Sequence, residues 1–541
     1  MMSKPNVLLF FIDALRYELV DNEAVRRELM PTIAGMLDEG SFAHVVSNAG
    51  ATQYVLPSIL TQSYPFDYGG YDRGIRDRPK SIIELFKESG YATYGTFSSY
   101  LYARVPGFFR GLDHKRCLYP VFRVINKVIV HQLSHELKLM KAGDKTKEEV
   151  LVIVREWFNA VLGALAEYGE NHPKVLWAKG FERRNRRLAV RIRAELELLE
   201  KNPDAILRKL EEVDSYYYWT TFGDEHHTLR SRSIHFFERV YTRLAKPLFW
   251  TGLLPRHLRY QDMSLEEMTL DFPEFLERAK QDEKPWFACL HILNIHSFQV
   301  TPGFMQQLSK YRHIPAVLRK RKKLGRTWQP LMHDLTLFDL DRRFSVMVKK
   351  LKAKGLMTDN TVIAVFGDHG IDLGDRNAVA DSERGFRSHR AFLDTVLGIS
   401  GTDRRFENRV MIDSQGLSAT IVEAAGLSPH PAFKGVSAFA GGKSIVISET
   451  AGRGSCDLER KNLFFTLTSE THKLFTVLKG SELEIIALVD TVSDPDELHD
   501  IKDVPENAPI VETLLAELYR ERGEILKARG FQLEAPLSWA G

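Results

Sequence analysis

The sequence predicts an α/β sandwich built on a mostly parallel central sheet, with a helical insertion and a small C-terminal antiparallel sheet. Three observations carry that expectation. Residues 5–100 alternate short apolar runs with helical patterns, an order that covers both faces of a parallel sheet. Helical periodicity then dominates as far as about residue 284. After Ser444 four short apolar runs follow in close succession, as in a small antiparallel sheet.

Taken in order, VLLFFI is a strand, MPTIAGMLDEG a helix closed by Gly40, and FAHVVSNA a strand. KSIIELFKESG is a helix closed by Gly90, and YATYGTFSS a strand. These make residues 1–100 the first part of a catalytic α/β domain. Residues 101–284 form the helical insertion, with periodic stretches such as EEVLVIVREWFNAVLGALAEYG and RIRAELELLEKNPDAILRKLEEV. Sheet patterning resumes over residues 285–440. PWFACLHILNIH, TVIAVFGDHG and AFLDTVLGIS are strands there, and HDLTLFDLDRRFSVMVKKLKAKG and LSATIVEAAG are helices. Residues 441–541 form a C-terminal subdomain: SIVISE, LFFTLTSE, HKLFTVLK and LEIIALVD as strands, then the helix PIVETLLAELYRERGEILKARG.

Composition narrows the class. The chain has 541 residues, enough for more than one domain, and its charged and apolar fractions are those of an ordinary globular protein. A net charge of +3 gives no global field for polyanions, and no nucleic-acid-binding motif is present, so nucleic acid is not an expected partner. Cys117, Cys289 and Cys456 are widely spaced and odd in number, which fits a reducing compartment rather than a disulfide framework. VLLFFI is too short for a signal-peptide core or for the roughly 20 apolar residues of a membrane span. The expected location is cytoplasmic.

Two strand ends carry metal-binding chemistry. PNVLLFFIDALR delivers Asp13, and NTVIAVFGDHG delivers Asp368 and His369. The C-terminal ends of parallel strands are where α/β sheets hold ligands. Carboxylate oxygens and imidazole nitrogen on a rigid frame suit a divalent cation. Asp13 alone reads equally as a helix N-cap, and Asp368–His369 alone as a buried structural pair. Together the two segments favour a metal site.

With these residues in view, the chain resembles the alkaline phosphatase/sulfatase superfamily, whose members open on a strand ending in Asp and carry a late Asp-His-Gly strand end. NIHSFQVTPGF is similar to the family's central H-x-P-Y stretch and supplies His296. HRAFLDTVLGIS resembles its late His-or-Lys segment and supplies His389. IDSQGLSATIVEAAGLSPHPAFKG and VDTVSDPDELHDI resemble its D-x-x-P-T helix and its terminal D-P-x-E stretch. The likeness spans roughly residues 5–100 and 285–505, leaving out the helical insertion.

The resemblance implies a nucleophile at the start of the helix within GATQYVLPSILTQSYP. A gapless register from Thr61-Gln62-Ser63-Tyr64-Pro65 puts Thr52 there. A second register, matching YVLPS to W-T-L-P-S, puts Val55 there and gives an inactive, binding-only relative. Thr52 is favoured: it needs no gap, and threonine is a good N-cap. The cost is Pro57, which then falls inside the helix and calls for a late start or a kink. Sulfatases of the family have Cys or Ser, oxidised to formylglycine, followed four positions on by Arg. Here that position is Leu56, and the family's second N-terminal aspartate is Ala14. Threonine implies a phosphoryl substrate, making a sulfatase or sulfonate-ester hydrolase the alternative.

The implied enzyme is a metal-dependent phosphoester hydrolase, most naturally of diesters, or a phosphoryl-group transferase, working through a covalent phosphothreonine. Asp13, Thr52, Asp368 and His369 are its expected metal ligands, for Zn, Mn, Mg or Ca. His296 and His389 are expected to bind phosphoryl oxygens or protonate the leaving group. Arg16 is either an anion contact or a member of a surface pair. His291 reads as a core residue facing away from His296. The substrate is a phosphoester, with glycan- or lipid-linked groups both open, and nothing fixes the oligomeric state.

In the insertion, FERRNRRLAVRIR holds Arg183, Arg184, Arg186, Arg187, Arg191 and Arg193, either a solvated helix face or a grip on anionic polymer or lipid. HFFERVYTRLAKPLFWTGLLPRHLRY mixes aromatic and basic residues. It reads either as packing onto the core or as peripheral membrane contact through the basic helical insertion.

Overall fold

The structure is a computed structural model and describes residues 4–97, 107–117, 133–171, 182–212, 218–249, 265–296, 298, 304–326, 329–374, 387–452 and 456–531. Its centre is an eight-stranded sheet in the order β4-β3-β5-β1-β6-β7-β2-β8. In chain order these are β1 (Asn6–Ile12), β2 (Ser41–Val46), β3 (Ala92–Phe97), β4 (His114–Cys117), β5 (Trp286–Ile292), β6 (Thr361–Phe366), β7 (Asp394–Ser400) and β8 (Met411–Asp413). β1 lies between β5 and β6, parallel to both, while β7 runs antiparallel to β6 and to β2. Two antiparallel pairings in succession leave β2 pointing the same way as β1.

β1 is buried along nearly its whole length, as a central strand covered on both faces must be. Its side chains alternate. Val7, Leu9 and Phe11 join one core with Val55, Leu56 and Ile59 of the helix Thr52–Thr61 and with Leu417 and Ile421 of the helix Ser414–Ala424. Leu8, Phe10 and Ile12 join the other with Ile33 of the helix Pro31–Asp38 and Leu340 and Phe344 of the helix Leu331–Ala353. The two faces of one strand thus feed two cores, which is the sandwich.

Phe10 stacks on Phe344 with ring centroids 3.9 Å apart, and both side chains are fully buried. Phe344→Ala removes that ring from a close-packed layer and is expected to destabilise the protein by about 3–5 kcal/mol. Urea unfolding would read this as a lower midpoint at unchanged slope. A loss under about 1 kcal/mol would mean the second core tolerates the cavity.

Between β4 and β5 the described elements are helical, among them Lys147–Trp157, Glu182–Lys201, Pro203–Glu212 and Leu229–Phe249. The edge strand β4 (His114–Cys117), which pairs with β3, belongs to the main sheet although it falls within residues 101–284, the range expected to be a helical insertion. C-terminal to the main sheet, β9 (Ile445–Thr450), β10 (Leu463–Ser469), β11 (His472–Lys479) and β12 (Glu482–Asp490) form a four-stranded antiparallel sheet. The final helix Ala508–Ala528 packs on it through Leu514, Leu518 and Leu526. No helix among the described residues is long and apolar enough to cross a membrane.

Candidate active site

Strand direction gathers the candidate residues at one edge of the main sheet. Asp13 follows β1, His291 is the last residue but one of β5, Asp368 and His369 follow β6, and Thr52 lies six residues past β2. β7 runs the other way, so His389, which precedes it, arrives at the same edge.

Asp13 is fully buried, and its N–H donates to Ile292 O at 2.9 Å, extending the β1–β5 pairing by one residue. The next residue, Ala14, has φ 65°, a left-handed conformation uncommon outside glycine. That turn aims the Ala14 N–H at Asp368 Oδ1, 3.1 Å away. The backbone at Ala14 therefore orients the Asp368 carboxylate.

Asp368 and His369 sit between two glycines that close approach demands. A Cβ on Gly367 would lie 2.1 Å from Thr395 Oγ1, and one on Gly370 2.1 Å from Ala391 O. His369 Nδ1 lies 2.5 Å from Gly370 O. Its proton is donated there, which leaves the Nε2 lone pair facing the site.

Thr52 is buried, and its Oγ1 lies 3.1 Å from Asp13 Oδ2 and 3.1 Å from His369 Nε2. It is the first residue of its helix rather than the cap. Ala51 is the N-cap, in extended conformation and without a side-chain cap bond. The physical reason is that the Thr52 hydroxyl is turned to Asp13 and His369, so it is not spent on the helix's own N–H groups. Pro57 does lie inside this helix, which begins at Thr52 and runs on to Thr61, so of the two accommodations expected for it, a late start or a kink, the late start is not used. Val55 is fully buried in the apolar core with Leu56 and Ile59, so Thr52, not Val55, faces the aspartates.

His291 is in the site, contrary to the expectation of a core residue. It is fully buried, stacks on Phe11 at 4.1 Å, and its Nε2 lies 3.2 Å from Asp13 Oδ2. Strand register explains this: His291 pairs with Phe11 across the β1–β5 ladder, one step from the end that carries Asp13. The signal available in the sequence was a histidine at the last turn of a fully apolar strand. Counting five residues to His296 hid it, because β5 ends at Ile292 and alternation does not continue through the turn that follows.

His296 lies in that turn, half-buried, its ring edge-on to His369 with centroids 6.3 Å apart. His389 is buried and caps the short helix Arg390–Leu393. Its turn is clamped between Gly50 and Gly370: a Cβ on Gly50 would lie 2.2 Å from Arg387 O, and the Gly370 N–H donates to Phe392 O at 2.7 Å. The Arg390 N–H is shared between both carboxylate oxygens of the buried Glu497, at 3.2 Å each. Glu497 is in turn paired with Lys473 of β11 at 2.5 Å. The C-terminal sheet thus reaches across to fix the turn that carries His389. It also fixes the chain before Thr52, where Ser448 Oγ donates to Ser47 O at 2.6 Å and Asn48 Nδ2 to Ile447 O at 2.8 Å. Arg16 is not a surface residue. It is buried, donates to Ile371 O at 3.2 Å and pairs with Glu18 at 3.0 Å.

One ligand atom each from Asp13, Asp368 and His369 lies within 4.8 Å of the other two. Burial alone pushes the Asp13 carboxyl up, but the charges and hydrogen bonding of His296, His291 and His369 outweigh it and hold it ionised. Asp368 is pushed up instead, first by burial and then by the charge of Asp13. Its Oδ2 is buried without a hydrogen-bond partner. A buried carboxylate oxygen without a hydrogen bond, beside a second carboxylate and 3.4 Å from His369 Nε2, is costly unless a cation neutralises the pair. With the imidazole lone pair and the Thr52 hydroxyl, this donor set fits a divalent cation.

Residues 5–115 match the family model described as Sulfatase. Among solved structures, the fold is similar to a putative sulfatase, yidJ, from Bacteroides fragilis, at 12% identity over 98% of this chain and 98% of that one, with a TM-score of 0.55. It is also similar to the phosphonate monoester hydrolase of Agrobacterium radiobacter, at 13% identity over 96% of each chain, with a TM-score of 0.52. A protein in the alkaline phosphatase superfamily from Vibrio parahaemolyticus matches at 11% identity over 98% of this chain and 89% of that one, with a TM-score of 0.50. At such identities the likeness is one of fold. No curated protein matches the chain by sequence.

Proposed function

We propose that the chain is a member of the alkaline phosphatase/sulfatase superfamily, a reading supported by the family-model match over residues 5–115 and by the shared fold, and that it is a metal-dependent hydrolase of phosphoesters, most naturally diesters, with Thr52 as nucleophile. The observation that carries this is the position of Thr52 Oγ1, equidistant from Asp13 Oδ2 and His369 Nε2 at the N-terminus of a helix.

Asp13, Asp368, His369 and Thr52 would hold the cation. A bound divalent ion lowers the pKa of a coordinated hydroxyl and neutralises charge on a phosphoryl oxygen. The protein's own groups supply the rest. The Thr52 hydroxyl proton is directed at Asp13 Oδ2, leaving an oxygen lone pair for attack. His291 holds Asp13 from the other side, so the carboxylate keeps one orientation. A helix N-terminus attracts the non-bridging oxygens. As the Oγ–P bond forms, the P–O bond to the leaving group breaks, and His296 or His389 protonates the departing oxygen. With a diester substrate the phosphothreonine still carries the second alcohol. Attack by water at phosphorus then breaks the Thr52 Oγ–P bond, returns the proton to Thr52 and releases a phosphomonoester; an acceptor alcohol in place of water would make the same chemistry a transfer.

Sulfate esters fit this chain less well. A threonine cannot become formylglycine, and the companion Arg and Asp positions are Leu56, buried in the core, and Ala14, which serves through its backbone. The test is turnover of bis-(4-nitrophenyl) phosphate against 4-nitrophenyl sulfate by protein loaded with Mn, Zn, Mg or Ca in turn. Phosphodiester cleavage is expected to dominate. Turnover of the sulfate alone would overturn the proposal.

A further inference from the structure

The helix Leu229–Phe249 wears its apolar residues on the outside. Leu229 is 84% exposed, Phe236 63%, Phe237 68% and Leu244 72%, with Val240 exposed beside them. At helical spacing these five share one arc of about 100°. Ser231, on the opposite side, is buried, so the helix is docked by its other face and this stripe points to solvent. Exposed arginines border the stripe on both sides: Arg232, Arg239 and Arg243 along one edge and Arg230 along the other. The helix sequence holds four arginines and one lysine against a single glutamate.

We infer that this helix docks the protein onto an anionic lipid surface, lying in the plane of the interface with Phe236, Phe237 and Leu244 inserted. A solvent-facing apolar arc has no reason to persist on a protein that stays in water. Apolar centre and arginine flanks together match a surface with hydrocarbon beneath negative head groups. Long arginine stems can lie along the apolar arc while their guanidiniums reach phosphates. A second copy of the chain fits less well, because stacking the same helix on itself sets arginine edges against one another. The basic run nearer the start of the insertion adds little to this surface. Arg191 is tied to Phe222 O at 3.1 Å and Arg193 to Glu170 at 3.1 Å, while the side chains of Arg183, Arg184 and Arg186 lie outside the described residues. Nothing in this surface depends on the catalytic roles proposed for Thr52 and its neighbours.

The test is co-sedimentation of the full chain with vesicles of phosphatidylcholine and phosphatidylglycerol, against vesicles of phosphatidylcholine alone. Binding is expected to the mixed vesicles and to weaken as salt is raised. The triple variant Phe236→Ser/Phe237→Ser/Leu244→Ser should partition at least about 10-fold less. Arg232→Gln/Arg239→Gln/Arg243→Gln should also bind less. All six positions are exposed, so helicity and melting temperature should match wild type, which separates lost docking from lost folding. Four results would overturn the inference: no binding by the wild type, equal binding to both vesicle types, binding undiminished in the apolar triple variant, or a concentration-dependent dimer that this variant dissolves without any vesicle binding.

Discussion

Thr52→Ala is expected to lower phosphodiester turnover by on the order of 10⁴-fold or more, the scale seen when a nucleophile is removed from a group of residues that act together. Stability should change by no more than about 1 kcal/mol. The site is the first residue of a helix, alanine is a better helix former than threonine, and no side-chain cap is lost. That combination makes the substitution a clean probe, because loss of activity cannot be put down to unfolding. Thr52→Ser keeps an oxygen at the same place and should retain measurable turnover. Rapid quench with a radiolabelled phosphodiester, followed by acid precipitation, should trap labelled protein in the wild type and none in the alanine variant. Wild-type rates from Thr52→Ala would remove the nucleophile assignment and leave the metal site standing.

The second large effect concerns the cation. Chelation should abolish turnover, and adding back a divalent ion should restore it. At free ion one hundred times its dissociation constant, binding to the folded state alone should stabilise the protein by about 2.7 kcal/mol. Asp368→Asn separates ion binding from the cost of the buried charge itself. It removes a buried carboxylate whose Oδ2 has no hydrogen-bond partner and which stands in the field of Asp13. The chelated variant is therefore expected to melt higher than chelated wild type, yet to gain little when ions are added and to turn over poorly. Opposite signs on stability and activity from one substitution would mark a site built to bind charge rather than to support the fold. If chelation moves neither melting temperature nor turnover, the assignment of Asp13, Asp368 and His369 as ligands falls.

The candidate ligands were legible for a physical reason. A buried parallel strand reads as an unbroken apolar run, so the first polar residue after it lies at the sheet's C-terminal edge. VLLFFI to Asp13 and TVIAVF to Asp368 and His369 both have that form. Gly367 and Gly370 were legible as points of close approach, and the structure shows what approaches: Thr395 and Ala391. Between Thr52 and Val55 the sequence favoured Thr52, through a gapless register and its N-cap preference, but could not show the contact that decides the choice. Both fit a helix start, and Pro57 counted against the register that the structure adopts. It turned on which side of the helix met Asp13, a contact between residues 39 positions apart.

His291 shows the opposite failure. Alternation along a strand is a sound rule while the strand lasts, and β5 stops one residue later. The pairing of β5 with β1 brings His291 beside Asp13, and that pairing joins segments some 280 residues apart in sequence. Likewise His389 precedes its strand, whereas Asp13, Thr52, Asp368 and His369 follow theirs. Only the reversed direction of β7 explains why it comes to the same edge. Sequence by itself determined the layered α/β class, the strand ends and the residue types fit for a cation, because burial and helix or strand period are written in local order. Tertiary structure alone decided strand sequence and direction, and with them which hydroxyl meets the aspartates, which histidine steadies them and which face of the helix Leu229–Phe249 is left to solvent. Those are contacts between distant segments, and no local pattern encodes their partners.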